Sequence, residues 1–161
     1  MNRFFLLIFV SFVVSINSFA DRIKVDDKTK KQLINVLEAN ELLHQSFFKY
    51  DSQKITINSK LMLKKMNLVS NKEISSMLNF AKKKLKEISG ENKKSLNNQN
   101  YHIVSTAMIV IMNKYDLGKK YNSYSCPMVK KKWIQNTTKD DTVLNPYADY
   151  MPNCGRKETN Y

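Results

Sequence analysis

The sequence predicts an all-α fold, an antiparallel four-helix bundle with an irregular Cys/Met/aromatic-rich C-terminal segment packed on it. Three observations lead there: apolar residues recur at helical spacing from Asp26 to Leu117, short polar links separate the runs, and glycine occurs only three times. So few glycines, with no Gly-rich phosphate loop, exclude a doubly wound nucleotide-binding fold.

Residues 1–20 read as a cleaved signal peptide. Arg3 supplies the positive region, Phe4 to Val14 the apolar run, and Ser18-Phe19-Ala20 a small residue, Ser18 and Ala20, at each position a signal peptidase reads. No second apolar segment follows, so no transmembrane anchor is expected and the chain reads as periplasmic or secreted. The full chain carries 27 basic and 14 acidic residues, a formal charge of +13, and removal of Arg3 lowers it to +12. The lysines are scattered, and the only arginines after residue 20 are Arg22 and Arg156. Specific nucleic-acid binding is therefore not expected, while weak attraction to anionic surfaces is.

Residues 21–118 are assigned to the bundle. In the first helix Leu33, Leu37, Leu43 and Phe47 share a face with Val36 beside them, and Asp26 and Asp27 suit its positive N-terminal end. The second begins at Asp51 or Ser52 and shows Ile55, Ser59, Met62, Met66 and Val69, although Ile55-Thr56-Ile57 alternates as a strand would. The third opens with a capping box, Ser70-Asn71-Lys72-Glu73, runs through Ile74, Met77, Leu78, Ala81, Leu85 and Ile88, and stops at Gly90. After a polar connection from Glu91 to Asn100, the fourth spans about Gln99 to Leu117, with Val104, Ala107, Met108, Ile111 and Tyr115 inward and Gly118 as its stop.

Residues 119–161 belong to the same single domain but change character, and they hold both cysteines. Pro127 favours an extended backbone, in which Cys126 and Met128 would point to one side. Met151-Pro152-Asn153-Cys154 has the composition of a β-turn, which brings its first and fourth residues within about 7 Å. Cys126, Met128, Met151 and Cys154 are thus the candidate metal ligands. Thiolate and thioether sulfurs select Cu(I), whereas zinc is poorly served by methionine. Trp133 is a candidate shield for the ion, and His44 and His102 are candidate accessory ligands.

The alternative for the cysteines is a Cys126–Cys154 disulfide, the usual fate of two cysteines in an exported chain. It would close a 29-residue loop and stabilise the fold by roughly 3.5 kcal/mol. In that reading the protein is a stapled helical interaction module without a metal. An enzyme is not expected, because nothing around Cys126-Pro127-Met128 supplies a recognisable base or oxyanion hole. Met62, Met66, Met77 and Met108 lie on helical stripes and read as core. Asn136-Thr137-Thr138 is a glycosylation sequon, relevant only in a eukaryotic host.

Cys126-Pro127-Met128, Trp133, Asn145-Pro146-Tyr147, Met151 and Cys154-Gly155 together resemble the signature of a bacterial periplasmic family, domain of unknown function three-three-four-seven. That family accompanies heavy-metal and copper efflux adaptors or stands alone behind a signal peptide. The resemblance covers the last 36 residues. It implies an exported helical domain that binds copper or another heavy metal through Cys126, Met128, Met151 and Cys154, with an efflux adaptor or metallochaperone as partner. The sequence departs from the pattern at Ala148-Asp149-Tyr150, where the family carries a glycine, and Lys130 to Lys132 place positive charge beside the proposed site.

Overall fold

The computed structural model describes residues 21–139 and 142–161; the expected signal peptide lies outside the described residues. Helix α1 (Asp27–Phe48) starts where the Asp26 side chain accepts the Thr29 N–H at 2.9 Å. Helix α2 (Ser52–Asn67) is capped in the same way by Asp51, which accepts from Lys54 N–H, so Ile55-Thr56-Ile57 is helical. The third expected helix is divided at Leu78 into α3 (Lys72–Met77) and α4 (Asn79–Lys86), yet Ile74, Leu78, Ala81 and Leu85 still form one buried stripe.

Its cap is Asn71, not Ser70. The Asn71 side chain accepts the Ile74 N–H, Ser70 bonds Gln32, and Glu73 pairs with Lys114 on the next helix instead of closing a capping box. Gly90 is required by a close approach: a Cβ there would lie 2.3 Å from the Ser52 carbonyl oxygen. Helix α5 spans Lys94–Lys114 and begins earlier than the apolar rhythm suggests. Its first turns bury Asn97, Asn98 and Asn100, so polarity there does not mark a loop. The chain then turns at Gly118 (φ +87°), whose N–H donates to Asp116.

The all-α expectation is wrong: the fold is mixed, with helices and a three-stranded antiparallel sheet. Strand β1 (Tyr121–Cys126) pairs with β2 (Lys131–Asn136), Tyr124 facing Trp133 and Cys126 facing Lys131, and with the short β3 (Arg156–Lys157) in the order β2-β1-β3. The segment expected to be irregular hides its strands for a physical reason. Tyr121 to Tyr124 and Trp133 to Asn136 are buried on both faces, so the period-two alternation of a half-exposed strand is missing.

Helices α1 and α2 pack together, α4 packs on α2 and α5, and β2 lies on α5 and α1. One core joins the two halves. Phe47 of α1 stacks on Tyr101 of α5 at 4.4 Å, Tyr101 meets Tyr147, and Tyr147 stands edge-on to Trp133. Met62, Met66 and Met108 are fully buried in it. No helix among the described residues is long and apolar enough to cross a membrane.

Candidate functional site

Cys126 is the last residue of β1, where the strand enters the four-residue reversal Pro127–Lys130; Lys130 adopts a left-handed φ of 51° to close it. The Cys126 thiol is buried, and the groups that favour its charged form are the Cys154 thiol, the backbone N–H groups of Val129 and Met128, and the Asn145 side chain. Burial pushes the Cys126 thiol up, but these donors together outweigh it and hold the group below its usual range. Cys154 moves the other way, because its S–H is donated to Cys126. The two thiols are therefore in contact, with the negative charge favoured on the inner sulfur.

Cys154 reaches this position through its turn, closed by the Cys154 N–H to Met151 carbonyl bond at 3.0 Å. Three further contacts order the turn around Asn145. The Asn145 amide donates to the Cys154 carbonyl at 2.8 Å, its side-chain oxygen accepts the Tyr147 N–H at 2.9 Å, and its own N–H donates to the Pro152 carbonyl at 2.7 Å. Asn145 thus holds the Cys154 turn, and its side chain also favours the charged form of Cys126. Gly155 follows with φ +150°, and a Cβ on it would stand 2.6 Å from Trp133 Cη2 and 2.9 Å from the Ser125 carbonyl oxygen. Only a residue without a side chain lets Cys154 lie so close to the strand.

The four candidate sulfurs are not gathered equally. Met128 does not share the side of Cys126: the backbone reverses at Pro127 instead of staying extended, and Met128 is 70% exposed at the hairpin tip. Met151 is half-buried at the start of the Cys154 turn. Trp133 is fully buried, stacked on Tyr124 at 5.9 Å, and packs under Gly155.

Both histidines are engaged elsewhere. His44 Nε2 bonds the Leu144 carbonyl at 2.8 Å, and burial lowers its pKa to about 4. His102 Nδ1 accepts the Lys132 N–H at 3.1 Å, and burial, with the positive charges of Lys131 and Lys132, lowers it too. Among the described residues no group of three or more His, Cys, Asp or Glu is placed to hold a metal ion. The Asn136 sequon is occupied structurally, since its amide is buried and donates to Glu41 at 3.1 Å.

The residue that sequence reasoning missed as part of the site is Asn145. Its place in Asn145-Pro146-Tyr147 was visible, but its bonds to the Cys154 turn depend on the folded path of the loop and carry no spacing signal. Searched against protein-family models, curated proteins and solved structures, the chain has no match.

Proposed function

We propose that this protein is an exported soft-metal-binding protein in which Cys126 and Cys154 hold Cu(I) as a pair of thiolates. The observation that carries the reading is that the Cys154 turn, closed by its N–H to the Met151 carbonyl and packed through Gly155 on Trp133 and Ser125, brings Cys154 beside Cys126, whose thiol is held below its usual range by that neighbour and by nearby N–H groups. The donor set suits a soft monovalent ion, for which two thiolates are adequate ligands. It does not suit a four-sulfur cage, because Met128 faces solvent. The tail's resemblance to a family found beside copper efflux adaptors supports transfer of the ion to such an adaptor or to a metallochaperone.

The same contact favours one other reading. Two thiols in contact in an exported chain can oxidise to a disulfide that staples the Cys154 turn to β1, giving an interaction module without a metal. Native mass spectrometry of the mature protein separates the two. One copper per chain after anaerobic reduction and Cu(I) addition, lost in Cys126→Ser and in Cys154→Ser, is the expected result. A chain isolated two hydrogens lighter that takes up no copper after reduction would leave the staple.

A further inference from the structure

Helices α2 and α4 carry eight lysines, Lys54, Lys60, Lys64 and Lys65 on one and Lys82, Lys83, Lys84 and Lys86 on the other, and no carboxylate. The acids at their borders are largely consumed: Asp51 pairs with Lys54, Glu87 with Lys84, and Glu73 with Lys114, leaving Glu91 beyond the end of α4. Lys60, Lys64, Lys83 and Lys86 are exposed without an acidic partner within these helices.

Apolar side chains stand among them. Ile57, Lys60, Lys64 and Leu68 follow one outward stripe of α2, one turn apart, and Ile57 is 63% and Leu68 58% exposed. On the neighbouring α4, Phe80 is 57% exposed with Lys83 one turn later. Lone exposed apolar residues are ordinary. What sets these two helices apart is that their exposed apolar residues stand among lysines with no carboxylate in either helix, Glu91 lying beside Ile57 at one end.

We propose that the α2/α4 face docks on the surface of an anionic lipid bilayer. The lysine amines meet lipid headgroups while Ile57, Leu68 and Phe80 enter the boundary between headgroups and acyl chains. Long lysine stems let the charge stay in the headgroup layer as the apolar side chains beside them sink. A nucleic acid fits less well, since neither helix has an arginine for bidentate phosphate contacts. The face projects apolar knobs, and the pocket at its end, lined by Ser52, Gln53, Thr56, Ile57, Gly90 and Glu91, is small and carries a carboxylate. The sheet packs on α5 and α1, so docking through α2 and α4 leaves the cysteine pair away from the lipid. The inference is independent of the metal reading.

The test is co-sedimentation of the mature protein with phosphatidylcholine vesicles, with and without phosphatidylglycerol, at low and raised salt. Binding is expected only to the anionic vesicles and is expected to weaken with salt. Each lysine at such a surface strengthens binding by roughly fivefold. The triple variant Lys60→Gln/Lys64→Gln/Lys83→Gln should therefore bind on the order of a hundredfold more weakly, whereas Lys24→Gln/Lys28→Gln/Lys31→Gln, with the same net charge, should bind nearly as the wild type. Ile57→Ser/Phe80→Ser, with charge unchanged, should also bind more weakly. Equal losses in the two lysine variants, no binding to anionic vesicles, or binding to poly-glutamate without binding to vesicles would each overturn the proposal.

Discussion

Replacing Gly155 with alanine tests how the two cysteines are brought together. Its φ of +150° is a conformation that residues with a Cβ rarely adopt, at a cost of about 1–3 kcal/mol. The new methyl would also stand 2.6 Å from Trp133 Cη2 and 2.9 Å from the Ser125 carbonyl oxygen, contacts that force a shift worth about 1–3 kcal/mol. Because one backbone movement relieves part of both, we expect a loss of about 3 kcal/mol, or roughly 10 °C in Tm for a chain of this size. Thermal unfolding by circular dichroism, under reducing conditions so that no disulfide contributes, measures it. The cause is separable: in a Trp133→Phe background the same substitution should cost about 1 kcal/mol less, with the Ser125 contact remaining. A loss below about 0.5 kcal/mol for Gly155→Ala, the range of neutral surface changes, would refute the close approach.

Three other expectations rest on buried or constrained groups. His44 is neutral when folded, with a pKa of about 4 against 6.5 unfolded, so the unfolded chain binds the extra proton and stability falls as pH drops from 6.5 toward 4. Urea denaturation should show a loss of at most about 3 kcal/mol from this residue, absent in His44→Gln. Glu41 accepts from Tyr121 and Asn136 and pairs with the exposed Lys139 at 2.7 Å. Glu41→Ala should cost about 3 kcal/mol by orphaning two buried donors, and Lys139→Ala less than about 1 kcal/mol, both read as denaturation midpoints. Gly118 has open space around it and φ +87°, so Gly118→Ala should cost about 1 kcal/mol and Gly118→Asn measurably less by the same assay.

The helices were legible because each buries one face against polar surroundings, which writes a 3.6-residue rhythm, and because Asp26 and Asp51 announce two of their starts. Two misreadings share a cause. Asn97, Asn98 and Asn100 are buried in α5, and Tyr121 to Tyr124 are buried in β1, so polarity in neither place marks exposure. Periodicity assumes that polar means outward. Where a chain buries Asn, Ser and Tyr, as here, that assumption removes helix from a helix and strands from a sheet.

The candidate site divides along the same line. The turn at Met151 to Cys154 is a local matter of Pro152 and Asn153, and local chemistry is readable. Whether Met128 faces Cys126 depends instead on the path of the backbone after Pro127. The partner strand begins at Lys131, and β1 and β2 can pair only if the chain reverses between them. That reversal turns Met128 outward and aims the N–H groups of Met128 and Val129 back at the Cys126 sulfur. One backbone event thus removes a thioether from the site and supplies two donors for the thiolate. It also orders access. Cys126 is sealed beneath the turn while Cys154 is half-exposed, so an arriving ion or oxidant meets Cys154 first. The lower-pKa sulfur lies behind it, so both the proposed metal site and its disulfide alternative would be entered through Cys154.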